Sequence, residues 1–390
     1  MKPLAPITQS FEIKYEHKLY FTENIFAVSN TLFKDIIKGY NAKDRVKIIF
    51  VIDDGVYNRH PGLLKHIKAY CSAYTDHIQF TEHVLVPGGE VCKNDHGQVE
   101  RVLDAIHQNS ICRHSFVAVI GGGAVIDMAG YAATIAHRGV KLIRIPTTTL
   151  SQNDAAVGVK NGINAFDKKN FLGTFAPPYA IVNDSSFLTT LEQRDWISGI
   201  AEAIKVALIK DANFFDYIDT NADSLRDREM EPMRYLIYKC AQMHMEHIAH
   251  GGDPFESGSS RPLDFGHWAA HKLEYMTDYT IRHGEAVAIG MALDLTYAHS
   301  IGLIDENTLK RIIQVLEKIG FTLRVPLVGN QAIDQLIAGI EEFREHLGGE
   351  LTITLISKIG AKHDVHEIDR NKMRDAISML NRYGKLESSH

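Results

Sequence analysis

The sequence predicts an α/β domain built on a parallel sheet, followed by an all-α domain. Short apolar runs alternate with helix-like segments up to about residue 187, an order typical of βαβ units. Beyond that point helical patterns dominate, and only one strand-like run remains. A chain of 390 residues is also longer than a single compact core usually holds. We therefore predict two domains, over residues 1–187 and 188–390.

In the first half, the predicted strands are apolar runs that are too short for helices and are bounded by Gly, Pro or Asp. They cover residues 48–52, 78–86, 116–120, 142–145 and 180–182. Between them, apolar residues at i, i+3 and i+4 predict amphipathic helices over residues 63–74 and 98–107. This succession of strand and helix predicts a parallel sheet with crossover helices.

The second half is predicted to be helical over residues 197–209, 233–248, 267–275, 285–299 and 308–319. Residues 351–356 are its one strand-like run. Two segments are predicted to be loops: residues 157–178, which Gly, Asn and Pro punctuate, and the polar run DPFESGSSR over residues 253–261. Because long ordered loops are often functional, the first loop and the cleft between the domains are expected to carry a ligand site.

The composition excludes several classes of protein. The 42 Lys and Arg against 48 Asp and Glu give a formal charge of -6, which provides no basic field for nucleic acid or an anionic membrane. Four scattered cysteines without CxxC spacing argue against a zinc ribbon or a disulfide framework, and favour a reducing compartment. Because no apolar stretch suits a membrane span or a secretion signal, we expect a cytoplasmic protein.

A run of three glycines, Gly121 to Gly123, follows the strand-like FVAVI and opens a predicted helix. Backbone N–H groups at such a helix N-terminus can hold a pyrophosphate. A tight structural turn is an equal alternative, because the spacing is not GxGxxG. Asp53 ends an earlier strand, where a carboxylate can bind ribose hydroxyls or simply face solvent.

His267 and His271 lie four residues apart on one helical face, and His283 begins the next helix. Two imidazoles and a carboxylate leave an open position on a metal ion, as in catalytic zinc sites, although ordinary core or surface histidines are the alternative. Glu202 and Lys205 lie in the otherwise apolar helix GIAEAIKVALIK. Burying this pair would be costly without a metal or ligand, which favours a functional role over a surface ion pair.

Lys160, Lys169 and Asn170 lie in the predicted loop over residues 157–178. Two point charges and an amide donor could bind a phosphate there. A solvated run of charges is the simpler explanation of these residues when they are considered alone.

Seven motifs that follow one another in a fixed order account for these candidate residues together. They are GGGAVIDMAG, RGVKLIRIPTTTLSQNDAAVG, VKNGIN, KKNFLGTF, GIAEAIK, DFGHWAAHKLE and RHGEAVAIGM. Together they resemble the dehydroquinate synthase-like sugar phosphate cyclases over about residues 53–360. The resemblance implies a Rossmann-like NAD-binding α/β domain, an all-α metal- and substrate-binding domain, and a homodimer.

The resemblance also implies roles for individual residues. The metal ligands would be Glu202, His267 and His283, with zinc the expected ion and cobalt an alternative. The matches to cofactor positions are Asp53, Glu90, Lys93, Gly122, Gly123, Asp127, Thr147, Thr148, Leu150, Lys169, Thr190 and Leu191. The matches to catalytic positions are Asp154, Lys160, Lys205 and His271. The implied substrate contacts are Asn170, Asp264, His346 and Arg138, the last reaching the phosphate of the neighbouring subunit.

Several positions depart from dehydroquinate synthases, whose substrate carries a carboxylate. In an alignment without gaps, Glu246 replaces a lysine and Ser260 an arginine that bind this carboxylate, although Arg261 lies one residue away. Asp264 stands in place of an asparagine, and His346 is the nearest counterpart of another lysine.

These replacements, together with VGVKNGIN and FGHWAAHKLE, are similar to the sedoheptulose 7-phosphate cyclases, and closest to the 2-epi-5-epi-valiolone synthases. The substrate of these enzymes ends in a hydroxymethyl group, so the loss of cationic side chains is chemically coherent. His271 disfavours the related desmethyl-4-deoxygadusol synthases, which carry a proline near this position.

The resemblance therefore implies a carbon–oxygen lyase that converts sedoheptulose 7-phosphate to 2-epi-5-epi-valiolone. Transient oxidation by NAD acidifies a C–H bond, phosphate leaves by β-elimination, the hydride returns, and an aldol reaction closes the ring. A 3-dehydroquinate synthase is the first alternative. A non-catalytic binding protein is disfavoured, because it would not need the complete set of metal ligands. An NAD-linked, metal-dependent polyol dehydrogenase is another, but its substrate would offer no phosphate to Lys160, Lys169, Asn170 and Arg138.

Overall fold

The computed structural model describes residues 4–41, 43–166, 168–251, 263–326, 329–346 and 349–386. The strands within these residues are β1 (Leu19–Thr22), β2 (Val46–Asp53), β3 (Ile78–Val86), β4 (Phe116–Gly121), β5 (Lys141–Pro146), β6 (Lys160–Ala165), β7 (Lys168–Phe175), β8 (Ala180–Asp184), β9 (Ile353–Lys358) and β10 (Ala361–Val365). Six strands form one parallel sheet in the order β1-β8-β5-β4-β2-β3. All five strands predicted from apolar runs belong to this sheet, which confirms the α/β class of the first half.

Helices accompany the sheet in the first half and dominate the second. Those of the first half are α1 (Leu32–Tyr40), α2 (Asp54–Arg59), α3 (Leu63–Ala73), α4 (Val91–Asn94), α5 (His96–Gln108) and α6 (Gly123–Ile135). Those of the second are α7 (Gln193–Lys210), α8 (Ala212–Thr220), α9 (Ala222–Arg226), α10 (Met230–His250), α11 (His267–Met276), α12 (His283–Ser300), α13 (Glu306–Ile319), α14 (Asn330–His346) and α15 (Arg370–Leu386). The five helical segments predicted for the second half lie within α7, α10, α11, α12 and α13.

The sheet is buried on both faces, which is why its strands read as continuous apolar runs. Along β2, Ile49 and Val51 pack in the apolar cluster formed with α5 and α6. Ile48 and Phe50 pack in the cluster formed with α1 and α3 on the other face. Successive side chains therefore enter opposite cores, as the twofold repeat of a strand requires.

A separate apolar cluster holds the second half together. Fourteen of the 18 residues of both α7 and α12 are buried, and β9 and β10 form a small antiparallel pair beside these helices. Phe187 packs in the cluster of the sheet and Leu188 in that of the helices, so the division at residue 187, which stays a prediction, coincides with a change of core. Among the described helices, none has both the length and the apolar character needed to cross a membrane.

The prediction of a loop over residues 157–178 is wrong, because β6 and β7 form an antiparallel pair there. Gly162 lies opposite Gly173, and a Cβ on either would lie 2.9 Å from a carbonyl oxygen of the other strand. The glycines permit this close approach, and they also remove the apolar alternation by which a strand is predicted. The edge strand β1 has only four residues and was not predicted. The polar loop predicted over residues 253–261 lies outside the described residues.

Gly290 of α12 lies against the turn that precedes α11. A Cβ at this position would lie 2.0 Å from the carbonyl oxygen of Gly266. We expect Gly290→Ala to lower the free energy of unfolding by about 3 kcal/mol, because backbone cannot yield as a flexible side chain does. The matched control is Gly39 on α1, where a Cβ meets nothing within 4 Å. Gly39→Ala should stabilise by roughly 0.5–1 kcal/mol in urea unfolding. Wild-type stability of Gly290→Ala would contradict the contact between the two backbones.

Candidate metal and nucleotide site

Three potential metal ligands from three helices meet at one point. Glu202 lies in the middle of α7, His267 is the first residue of α11, and His283 is the first residue of α12. The Nε2 atoms of His267 and His283 lie 3.6 Å and 3.4 Å from Glu202 Oε1. One ligand atom from each residue lies within 4.8 Å of the others. The sequence spacing alone could not bring these residues together, because Glu202 is 65 positions or more from the histidines.

The Glu202 carboxylate suits a metal ion. It is completely buried, and neither of its oxygens accepts a hydrogen bond of good geometry from the described residues. Its nearest cation is Lys205, with which it forms a buried ion pair one helical turn away. Burial would raise the pKa of Glu202, but Lys205 and the two imidazoles outweigh it and hold the pKa well below its usual value. A buried carboxylate that faces two adjacent imidazoles is a donor set typical of zinc.

The hydrogen bonds of the two imidazoles leave their Nε2 atoms for the metal. Nδ1–H of His267 donates to the carbonyl oxygen of Phe265 at 3.1 Å. Burial, and then the charge of Lys205, lower the pKa of His267 to about 4, so this ring is neutral near pH 7. The pKa of His283 is raised to about 10, because Glu202 and Glu274 outweigh the effect of burial. Binding of a metal at His283 Nε2 would therefore displace a proton.

Glu274 on α11 is a residue that the sequence reasoning missed. It is 4% exposed, its Oε2 accepts from His283 Nδ1 at 3.3 Å, and its Oε1 lies 3.1 Å from Lys169 Nζ. A carboxylate behind a ligand histidine fixes the tautomer and orientation of the ring. The available signal was its place at the end of DFGHWAAHKLE, three residues after His271 on the same face. With His271 and His283 it also forms a second group of close donors.

We expect Glu274→Gln to weaken metal binding about 10- to 100-fold, because the amide cannot support the imidazole as a charged acceptor does. Competition with a chromophoric chelator would measure the affinity. Tyr275→Phe is the control, because Tyr275 is the next residue on α11 and is 64% exposed. Equal metal affinity of Glu274→Gln and the wild type would show that the bond to His283 has no supporting role.

A second cluster of ionisable groups lies beside the ligands. Lys205 is 3% exposed, and Asp154 Oδ1 lies 3.0 Å from Nδ1 of His244, a residue of α10 that was not predicted. His271 lies one turn after His267, with ring centroids 5.5 Å apart, and its side chain is exposed. Lys205 and His271 therefore lie beside the ligand triad and Asp154 lies near Glu202, while the catalytic roles of all three stay predictions. Lys160 is exposed at the start of β6.

A cleft of about 450 Å³ adjoins the ligand triad and is lined from both halves of the chain. This volume is within the range usual for small-molecule sites. Ten of the twelve residues expected to bind a cofactor line it: Asp53, Glu90, Gly122, Gly123, Thr147, Thr148, Leu150, Lys169, Thr190 and Leu191. The same cleft is lined by His283, Glu274 and His60, and His60 Nε2 lies 2.8 Å from Thr190 Oγ1. One of the three metal ligands, His283, therefore lines the same cavity as the nucleotide positions.

The glycines at the start of α6 fit a phosphate group. Gly122 has an ordinary φ of -73°, and a Cβ there would meet nothing closer than Thr148 Cγ2 at 3.6 Å. Neither backbone conformation nor packing against the described residues requires glycine at this position. The absence of a side chain instead leaves the N–H groups at the N-terminus of α6 open to the cleft, where a pyrophosphate would be stabilised.

The remaining predicted residues lie outside the lining of this cleft. Lys93 and Asp127 form an ion pair at 2.9 Å, and Lys93 also donates to Asn170 Oδ1. Asp264 is buried and accepts from Thr354 Oγ1 at 3.1 Å. Arg138 is exposed just after α6. Glu246 is exposed on α10, and Ser260, Arg261 and the side chain of His346 lie outside the described residues.

Comparison with known proteins identifies the family. The family model for the 3-dehydroquinate synthase N-terminal part matches residues 83–198, and the model for the C-terminal part matches residues 199–342. A 3-dehydroquinate synthase from Halorhodospira halophila (strain DSM 244 / SL1) is 35% identical over 320 residues, which are 80% of this chain and 88% of that protein. The chain belongs to the dehydroquinate synthase-like family of sugar phosphate cyclases. The family predicted from seven ordered motifs is therefore confirmed.

Solved structures resemble this cyclase over nearly its whole length. A 2-epi-5-epi-valiolone synthase from Streptomyces hygroscopicus subsp. jinggangensis 5008, with NAD+ and Zn2+ bound, is 27% identical. The likeness covers 97% of the cyclase and 100% of that chain, with a TM-score of 0.86. A 2-deoxy-scyllo-inosose synthase complexed with carbaglucose-6-phosphate, NAD+ and Co2+ is 21% identical over 92% of the cyclase and 95% of that chain, with a TM-score of 0.76. The second likeness concerns the fold alone.

Proposed function

We propose that this cyclase uses NAD and a divalent metal ion, foremost zinc, to convert sedoheptulose 7-phosphate to 2-epi-5-epi-valiolone with release of phosphate. The observation that carries the proposal is that Glu202, His267 and His283 meet beside the cleft that Gly122 and Asp53 line. Because His283 belongs to both, a metal and a dinucleotide would act on one substrate. The similar Streptomyces enzyme holds NAD+ and Zn2+ together, which supports this pair of cofactors.

The buried side chains beside the triad are suited to move protons. When bound, NAD would transiently oxidise a substrate alcohol, and the metal would polarise the resulting carbonyl group. Burial would raise the pKa of Asp154, but His244 and Lys205 outweigh both burial and the charge of Glu202, and the pKa is lowered. Burial would lower the pKa of Lys205, but Glu202 and Asp154 outweigh it, and the pKa is raised. Asp154 is therefore suited to accept a proton and Lys205 to hold one, while the open side chain of His271 can exchange protons with the substrate.

The phosphate of the substrate requires cationic side chains, and we assign it to Lys160, Asn170 and Arg138. Lys160 and Asn170 are exposed on β6 and β7, the pair of strands beside α6. Arg138 lies outside the cleft of its own chain, which favours a homodimer in which it reaches the site of the partner. Such an arrangement would complete each phosphate site only in the dimer.

The substrate choice rests on residues that differ from those of dehydroquinate synthases. Glu246 is an exposed acid on α10 where those enzymes have a lysine for the substrate carboxylate. This chain therefore lacks a cation that those enzymes use for the substrate carboxylate, which favours a substrate with an uncharged hydroxymethyl group. The likeness to the Streptomyces enzyme over 97% of the chain agrees with this choice.

The test is a comparison of two heptulose phosphates with the metal-loaded enzyme. We expect phosphate release from sedoheptulose 7-phosphate with a kcat/KM at least about 10-fold above that for the carboxylated precursor of dehydroquinate, because a charged hydrogen-bonding partner contributes ~1.5–3 kcal/mol. NMR of the product would distinguish 2-epi-5-epi-valiolone from its epimers. A preference for the carboxylated substrate would overturn the proposed specificity and leave the cyclase chemistry intact.

Dehydroquinate synthase activity is the second candidate. It is favoured by the 35% identity to a protein of that name over 320 residues. The same comparison of substrates decides between the two. A polyol dehydrogenase is disfavoured by the residues assigned to phosphate binding, and it would release NADH as a product.

A further inference from the structure

A carboxylate lies in the middle of α12, a helix of the cyclase in which 14 of the 18 residues are buried. Asp294 on α12 is completely buried between Leu293 and Leu295, which belong to the apolar cluster of the helices. Its Oδ1 accepts from Trp268 Nε1 at 2.8 Å, and its Oδ2 accepts from the backbone N–H of Gly266 at 3.0 Å. Both oxygens are therefore used, and both donors belong to the short segment that begins α11.

Stability alone does not explain this residue. Burial raises the pKa of Asp294 to about 7, although the two hydrogen bonds oppose the shift. Replacing a buried charged group by a well-packed apolar one is often neutral or stabilising. None of the described Lys, Arg or His side chains forms an ion pair with this carboxylate. The two neutral N–H donors that hold this buried acid suggest a different role, which is to fix the segment of the chain that carries them.

The two donors flank a metal ligand. Gly266 and Trp268 are the immediate neighbours of His267, so the carboxylate holds the backbone before the ligand and the side chain after it. The N–H of His267 donates to the carbonyl oxygen of Asp264 at 2.9 Å, and its Nδ1 donates to Phe265 at 3.1 Å. Both of these hydrogen bonds of His267 stay within one turn, and Asp294 fixes this turn on both sides of the ligand.

The same turn is pressed against the helix that carries another ligand. Gly266 has a φ of +77°, and a Cβ there would lie 2.7 Å from the backbone nitrogen of Met291. The turn thus packs directly on the backbone of α12, whose first residue is His283. Asp294 bonds across this contact. It connects the segment that orients His267 to the helix that begins with His283.

We infer that Asp294 is a positioning residue that holds His267 in the orientation needed for metal binding by fixing Gly266 and Trp268 against α12. This inference rests on the proposed metal site and extends it to a carboxylate that touches neither the metal nor the substrate. Supporting groups of this kind typically contribute about 10- to 100-fold in metal affinity.

The test is a Co²⁺ titration of the full chain, followed by visible absorption and by competition with a chelator. In Asp294→Asn the amide keeps one acceptor oxygen and turns an NH2 group toward an N–H donor. We expect Co²⁺ affinity to fall about 10- to 100-fold. The absorption bands of the bound ion should shift, because the direction of His267 changes. The control is Thr296→Val on the same helix. Among the described residues, this buried hydroxyl donates only to the carbonyl oxygen of Ala292 in α12, so the substitution should leave both readouts unchanged.

Trp268→Phe removes one of the two donors and keeps Asp294. It should give an intermediate loss of affinity and a smaller change in the spectrum. It replaces Asp294→Asn in this test if that variant does not fold. Wild-type affinity and spectrum in whichever of the two variants folds would overturn the positioning role. Absence of specific Co²⁺ binding by the wild type would instead overturn the metal site, and this inference with it.

Discussion

His283→Ala should remove bound metal from the cyclase and lower turnover by at least about 1000-fold, because two remaining ligands cannot hold a catalytic divalent ion. The variant should remain folded. The His283 side chain is 29% exposed, so its loss opens only a small cavity at the cleft. Metal analysis of the purified protein and phosphate release from the substrate would measure the two effects. Full metal content with wild-type turnover would remove the assignment of this ligand.

Glu202→Ala should have the same effect on metal and turnover, with a larger effect on stability. Removing this carboxylate leaves Lys205 buried without its partner, and breaking a buried pair costs about 3–5 kcal/mol. Glu202→Ala combined with Lys205→Met removes both charges, and should recover most of that loss without recovering activity. Thermal unfolding of the two variants would separate the folding effect from the metal effect. A stable Glu202→Ala variant that still binds metal would contradict the geometry of the triad.

Lys205→Met is expected to separate proton transfer from metal binding. The methionine fills the space of the buried lysine stem and removes a cation that competes with the metal for Glu202. Turnover should fall about 100- to 10,000-fold, the contribution typical of a proton-transferring group. Metal content should be retained, because all three ligands remain.

The comparison of metal content with turnover distinguishes a catalytic role of Lys205 from a structural one. Thr296→Val, which changes a buried side chain away from the triad, is the control for general effects of a core substitution. Turnover near that of the wild type in Lys205→Met would exclude this lysine from the chemistry. Loss of metal together with turnover would assign it to the ligand environment instead.

The part of the fold that sequence predicted well is the part in which each strand has its own apolar run. The strands predicted at residues 48–52 and 116–120 lie in the centre of the sheet, where both faces are buried and no polar residue interrupts the signal. The strands β6 and β7 were not predicted, for the opposite reason. β7 has exposed residues along most of its length, so its hydrogen bonds to β6 and its glycine contacts, rather than burial, define it.

The residues of the candidate site also divide into those that the sequence predicted and those that it did not. Glu202, His267 and His283 were predicted from motifs whose order is itself the signal, and the structure places their ligand atoms together. Glu274 and Asp294 were missed, because a single acid in a helix has no meaning until its neighbours in space are known. Their importance depends on the approach of α11 to α12, which the close contact of Gly266 with Gly290 permits. No periodicity in the sequence encodes that contact.

The most direct test of transient hydride transfer to NAD uses the metal-loaded enzyme with NAD and sedoheptulose 7-phosphate. Inorganic phosphate and the absorbance of reduced cofactor would be recorded in the same reaction over many turnovers. The expected result is phosphate that rises in proportion to cyclised product, with no net NADH, because each hydride removed from the substrate is returned. NADH that accumulates in step with consumed substrate, without phosphate, would contradict a cyclase and indicate a dehydrogenase.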